Sequence, residues 1–275
     1  MTLISVDDAW AKIRALAKSL PVERRRVGEA AGLVLAEHVR APMDLPPFDN
    51  SAMDGYALRA ANASEAHAEH PVRLTVTGEV AAGGWQETPV APGTAVKIMT
   101  GAALPQGADA VLMLEDGRVR NGCVEIRAPV PAGAHVRRQG EDVRQGEVLL
   151  EPGLRLNAQR LGLLASSGVA EIVVFRRAQA GLLATGSELT PPGTPLAPGH
   201  IYDSNRVVLQ ALLQDTGGLC EDLGIVPDDP TAIAARVRRG LSADVLLLTG
   251  GVSVGAHDHV KQVLQQLGME TVFCR

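Results

Sequence analysis

Two carboxylates sit within five residues of each other in PPFDNSAMDGYAL, residues 46–58. Asp49 and Asp54 are interleaved there with Asn50, Ser51 and the apolar Phe48, Met53 and Tyr56. Two prolines restrict the backbone ahead of them. Asp54-Gly55 reads as a tight turn that presents a carboxylate, and Phe48 reads as the apolar anchor of the loop. A plain connecting loop needs no such combination, whereas a substrate-facing loop does.

A second concentration of chemistry lies in VLLLTGGVSVGAHDH, residues 245–259. Thr249, Gly250, Gly251, Ser253 and Gly255 lead from an apolar run towards a helix that should start near Asp258. Glycines let backbone N–H groups approach an anion, and a helix N-terminus adds favourable partial positive charge. The stretch is neither a Walker loop nor a dinucleotide fingerprint. It can be a phosphate cradle, or a glycine-rich turn capped by Ser253 and Asp258, and both readings stay open. A similar strand end, LLATGSEL, carries Thr185, Gly186, Ser187 and Glu188. Glu188, Asp228 and Asp258 each follow an apolar run, so three acids fall at equivalent strand ends. Acids beside a phosphate cradle make electrostatic sense with a cation between them, and Mg²⁺ suits carboxylate and phosphate oxygens. His257 and His259 flank Asp258 at a spacing that does not share a helical face, so they read as solvated helix-start residues. Lys97 and Thr100 surround a turn at Gly101, and Lys97 alone reads as a strand surface charge.

The elements that must position these groups follow from periodicity. Val6, Ala9, Ile13, Leu16 and Leu20 recur at helical spacing, predicting a helix over 5–20 with Ser5 and Asp8 at its start and Pro21 at its end. From about 70 to 150, short alternating runs separated by Gly and Pro predict a small β-rich, barrel-like domain. Within it, Asn121-Gly122 between β-formers predicts a hairpin. From about 154, NAQRLGLLASSG predicts a helix, with Asn157 before it and Gly168 after it. AEIVVF predicts a strand, and after it come AGLLATG, a helix near 204–216, CEDLGIV, a helix near 230–240, ADVLLLTGG, a helix near 257–267, and a last strand in METVFCR, strand and helix alternating. Alternation of this kind predicts a parallel sheet with crossover helices. In such a sheet, ligands bind beyond the carboxyl ends of the strands.

The 275 residues are 46 % hydrophobic and 21 % charged, enough for more than one cored domain. The formal net charge of −5 lacks the basic footprint of a nucleic-acid binder. The one compact basic cluster, Arg24–Arg26, reads as a solvated helix end or loop. Cys123, Cys220 and Cys274 are odd in number and far apart, which indicates neither a zinc site nor a disulfide framework. No apolar run approaches the roughly 20 residues of a membrane span. The start MTLISVDDAWAKI lacks the pattern of a secretory signal, so a cytoplasmic location is expected.

Taken in order, PPFDNSAMDGYAL, KIMTGAALPQGADAVLMLED, RRQGEDVRQGEVLL, ATGSEL, IYDSNR and TGGVSVGAHDH resemble the molybdopterin molybdenumtransferases, relatives of the gephyrin E-domain. The resemblance runs from about residue 5 to Arg275. It implies a multi-domain α/β plus all-β protein. Residues 1–45 with 140–177 would form an elongated N-terminal and linker domain, 46–139 a β-rich domain, and 178–275 part of an α/β molybdopterin-binding domain. The implied reaction inserts molybdate into the dithiolene of adenylylated molybdopterin and releases AMP, with Mg²⁺ assisting. A molybdopterin adenylyltransferase would act upstream. Homodimers are implied, with the 46–58 segment of one subunit reaching the site of the other.

By the same resemblance, the functional acid of SAMDGY falls on Asp54 and the threonine of IMTG on Thr100. Glu188, Asp228 and Asp258 become the metal-binding acids. Asp203, Ser204 and Asn205 of the DSN motif, with Gly250, Gly251, Ser253 and Gly255, become substrate-binding. The pattern departs at Ser187, where the family usually shows Asp. It also continues past Arg275 with a lysine-bearing KPGKP-type loop, suited to molybdate, and a further β-rich domain. The expectation is therefore a C-terminally truncated member. A molybdopterin adenylyltransferase and a non-catalytic pterin-nucleotide binder are the alternatives. The β-rich region and DNSAMDGYA argue against the first, and the absent lysine loop argues for the second.

Overall fold

The computed structural model describes residues 4–250 and 259–273. The chain opens with helix α1 (Val6–Leu16), then strands β1 (Val22–Arg26), β2 (Val34–Leu35) and β3 (Val39–Arg40). A run of strands follows: β4 (Asn50–Ser51), β5 (Gly55–Leu58), β6 (Val72–Val80), β7 (Thr94–Ile98) and β8 (Ala110–Met113). It continues through β9 (Arg118–Arg120), β10 (Cys123–Ile126), β11 (Val136–Arg137) and β12 (Val148–Leu150). Helix α2 (Ala158–Ser166) precedes β13 (Glu171–Phe175), β14 (Gln179–Thr185) and the paired β15 (Leu189–Thr190) and β16 (Ile201–Tyr202). Helix α3 (Ser204–Asp215), β17 (Leu219–Val226), α4 (Pro230–Gly240), β18 (Val245–Thr249) and α5 (His259–Gln266) complete it. Two compact units result, one of residues 1–37, 152–157 and 171–275, the other of 38–151 and 158–170.

The first unit contains the predicted parallel sheet, in the order β17-β14-β18. Central β14 is buried from Ala180 to Thr185, as a parallel strand covered on both faces must be. On one face Leu183 packs with Leu223, Ile233, Val237, Val260 and Val263, joining the sheet to α4 and α5. Asp203 and Asp229 cap α3 and α4 by accepting from Arg206 N and Ala232 N. Residues 269–273, expected as a strand, pair with no strand among the described residues. Met269 instead donates its N–H to the Leu264 carbonyl and packs on the α4–α5 cluster.

The same unit holds an antiparallel sheet in the order β1-β13-β2. Arg24–Arg26 therefore lie in a strand rather than at a helix end or in a loop, because Ile172, Val173 and Glu171 supply a ladder partner for each. Helix α1 forms behind Ser5, whose Oγ accepts from Asp8 N. It stops at Leu16, short of the expected Leu20. None of its residues is buried, so no packing supports a further turn.

The second unit is built on a six-stranded mixed sheet, β8-β5-β7-β6-β10-β9. Its end strands do not pair, so the sheet is an open half-barrel rather than a closed barrel. Strand alternation divides the core. Tyr56 and Leu58 pack with Leu74, Leu112, Val124 and Ile126, whereas Ala57 packs with Val96, Ile98 and Val111. The Asn121-Gly122 hairpin joins β9 to β10 with both residues at positive φ, 52° and 75°. Among the described residues, no helix is long and apolar enough to cross a membrane.

Candidate functional site

In the second unit, the stretch that looked like an exposed loop supplies a central strand. Residues 55–58 pair with β7 on one side and β8 on the other. Gly55 is not a turn residue. A Cβ there would stand 1.9 Å from the Leu112 carbonyl oxygen, so the close passage of β8 is what demands glycine. Phe48 is 42 % exposed and belongs to neither apolar cluster of this unit. Polar contacts hold the loop instead. Asp49 accepts from Gln139 N at 2.8 Å and from Arg138 at 2.6 Å. Asp44 accepts from the Gln139 side chain at 2.9 Å and from Gln145 N at 2.8 Å. Ser51 exchanges backbone hydrogen bonds with Ala102 and Gly101, and Ala52 N donates to the His135 carbonyl.

This frame brings Asp54 to Thr100. Asp54 Oδ1 accepts from both Thr100 N and Thr100 Oγ1 at 2.7 Å. The Thr100 amide, then its hydroxyl, lowers the Asp54 pKa, with a further contribution from Lys97. The carboxylate is exposed and stays ionised, and its Oδ2 makes no hydrogen bond among the described residues. It can accept from a substrate donor or hold a cation. Lys97 Nζ itself pairs with Glu79 at 3.1 Å on the sheet surface, as the simpler reading expected.

In the first unit, Glu188 and Asp228 follow the carboxyl ends of β14 and β17, adjacent parallel strands. The ladder continues past the strands. Gly186 N donates to the Val226 carbonyl at 3.1 Å. Ser187 N then donates to Asp228 Oδ2, and Asp228 N donates back to Ser187 Oγ, each at 3.1 Å. Gly186 has φ 153°, and a Cβ on it would lie 2.6 Å from Glu188 Oε2, so glycine leaves room for the Glu188 carboxylate. Gly250 has φ 88°, and a Cβ on it would meet the Thr185 carbonyl oxygen at 2.1 Å, so the start of the glycine-rich loop lies against the end of β14.

Gly251, Ser253, Gly255, His257 and Asp258 lie outside the described residues. Among the described residues, no group of three or more His, Cys, Asp or Glu side chains could hold a metal. The two carboxylates that are described offer hard oxygen donors. Mg²⁺ commonly takes one or two protein carboxylates and draws its remaining ligands from substrate and water, so this donor set fits it.

Asp203 is 2 % exposed, and its two oxygens accept from Arg206 N and Arg206 Nε, at 3.1 and 2.7 Å. Arg206 also pairs with Asp222. Ser204 and Asn205 are exposed on the first turn of α3. A cavity of about 400 Å³ opens at the opposite end of the sheet, lined by Leu33, Val34, Phe175, Ala180, Leu213 and Val245. It takes in none of the acids, and the chemistry, not the volume, identifies the site. Sequence reasoning missed the Ser187–Asp228 exchange. The available signal was a serine directly after a strand-end glycine, a residue type that hydrogen-bonds nearby backbone.

Comparison with known proteins gives this arrangement a setting. Residues 4–168 match the model of the MoeA N-terminal region (domain I and II), and residues 181–274 match a probable molybdopterin binding domain. Molybdopterin molybdenumtransferase 2 of Mycobacterium tuberculosis is 44 % identical over 85 % of this chain and 58 % of its own length. The molybdopterin molybdenumtransferase of Synechococcus elongatus is 41 % identical over 92 % of this chain and 64 % of its own. The chain thus spans about three-fifths of these relatives. A crystal structure of the molybdopterin biosynthesis moeA protein from Pyrococcus horikoshii superposes with a TM-score of 0.80 at 33 % identity, covering 97 % of this chain and 67 % of that one. With both halves of the sequence and the fold agreeing, the chain belongs to the MoeA family of molybdopterin molybdenumtransferases.

Proposed function

We propose that the protein acts in molybdenum cofactor biosynthesis, inserting molybdate into adenylylated molybdopterin with release of AMP. The observation that carries this reading is the Glu188–Asp228 pair at adjacent parallel strand ends, with Gly250 packed against the end of β14. Glu188 and Asp228 would hold Mg²⁺, with Asp258 as the third acid. Bound there, Mg²⁺ would neutralise phosphate oxygens as the phosphoanhydride is cleaved. Backbone N–H groups of the 250–255 loop receive the phosphate. Asp203, Ser204 and Asn205 flank the substrate at the start of α3. Asp54, its pKa lowered by Thr100, would orient a hydrogen-bond donor of the substrate held by the other subunit of the homodimer.

The same reading extends to the assembly and its surroundings. The protein works as a homodimer, and the exposed Val6, Trp10, Ile13 and Leu16 of α1 give an apolar face that supports this. It acts in the cytoplasm, in keeping with free Cys123 and Cys220. Its substrate comes from a molybdopterin adenylyltransferase.

The test is molybdate-dependent AMP release from adenylylated molybdopterin, measured on the protein as the cell makes it. Glu188→Gln and Asp54→Asn should each lower the rate by about 100-fold or more. Near-normal release by Glu188→Gln would overturn the metal-site reading.

A further inference from the structure

We propose that Ser187 is the positioning residue that fixes Asp228 for cation binding, an inference that rests on the acid-pair reading above. The β14–β17 ladder ends at Thr185 and Val226 and is carried one step further by Gly186 N. Beyond that point the backbones no longer pair directly. Ser187 and Asp228 replace the next rung with two bonds of 3.1 Å, each from a backbone N–H to the other residue's side chain. The residues are 41 apart in sequence, so only the fold brings them together.

Each bond has a separate consequence. Ser187 N ties down Asp228 Oδ2 and so fixes the carboxylate plane. Oδ1 makes no hydrogen bond among the described residues and remains available to a cation. Ser187 Oγ accepts from Asp228 N and so fixes the backbone that carries the carboxylate. Glu188, one residue on, is held by the same turn, with its carboxylate over Gly186. A serine makes this exchange without adding a third negative charge between Glu188 and Asp228. Partners that orient a metal-binding carboxylate typically change cation affinity by roughly 10- to 100-fold when removed.

Mn²⁺ binding, followed by titration calorimetry or EPR in the presence of AMP, separates the claims. Ser187→Ala removes the Oγ acceptor and should weaken Mn²⁺ by roughly 10-fold. Ser187→Thr retains the hydroxyl and should restore the wild-type affinity. The thermal transition of Ser187→Ala should stay close to that of the wild type, because residue 187 is exposed. Unchanged Mn²⁺ affinity in Ser187→Ala, with Glu188→Gln unable to bind, would overturn this inference and leave the acid pair standing. Wild-type affinity in Glu188→Gln would overturn the acid pair and, with it, the role of Ser187.

Discussion

Gly55→Ala tests the claim that the motif glycine is there for packing and not for a turn. The added methyl carbon would begin 1.9 Å from the Leu112 carbonyl oxygen, 2.9 Å from its carbon and 3.1 Å from Val111 Cγ1. A Cβ contact below 3.0 Å is not tolerated, and the nearest atom here is backbone, so no side-chain rotation relieves it. β8 must retreat by about 1 Å, which stretches a normal ladder bond of roughly 2.9 Å to near 4 Å, beyond hydrogen-bonding range. Overpacking of this kind costs about 1–3 kcal/mol, and one or two weakened ladder bonds add about 1 kcal/mol each. A loss of about 3 kcal/mol should lower the melting temperature of this unit by roughly 6–12 °C. Differential scanning calorimetry reads this directly. A turn-forming glycine of ordinary φ would accept alanine with little loss. A melting temperature within about 2 °C of wild type would therefore refute the packing argument.

Two further predictions concern carboxylates. Arg176 Nη1 and Nη2 hold Asp244 at 2.6 and 2.5 Å, and Arg176, then Gln179 N, keeps the Asp244 pKa down at about 2. A depressed carboxylate contributes stability above its unfolded value near 4 and loses it as pH falls towards 2. The urea midpoint of the first unit should fall across that window, and Asp244→Asn should flatten the fall. At the second site, Thr100→Val keeps the amide that lowers the Asp54 pKa most and removes the hydroxyl. The Asp54 carboxyl, followed by carbon-13 NMR, should titrate at a higher pH than in wild type while staying below its ordinary value; no upward movement would dismiss the hydroxyl's share.

Features whose causes lie within a few residues were legible in the sequence. The Ser5 cap, the Asn121-Gly122 hairpin and the alternating elements between residues 179 and 266 were of this kind, since caps, positive-φ turns and apolar runs are local. The misread features depend on partners far along the chain. Arg24–Arg26 are a strand because β13, about 150 residues later, lies beside them. Gly55 answers to Leu112, and Ser187 to Asp228. Residues 269–273 show the converse. Their composition suits a strand, but among the described residues they meet no ladder partner.

The carboxylates of the chain divide by what holds them, and the division bears on function. Asp203 and Asp244 each accept from a backbone N–H and are also paired with an arginine, which neutralises the charge and fastens the fold. Asp54 and Asp228 are held by backbone N–H groups, from Thr100 and Ser187. An amide orients a carboxylate yet leaves its negative charge uncompensated, free to act on whatever approaches. A carboxylate with both oxygens bonded and an arginine against it offers little to a ligand; an exposed, amide-held carboxylate with one unbonded oxygen offers both charge and direction. By this criterion Asp203 serves first as the cap of α3, while Asp54 and Asp228 retain the capacity to engage a cation or a substrate donor. The geometry of Asp228 requires an acceptor and an amide at position 187, and serine supplies both.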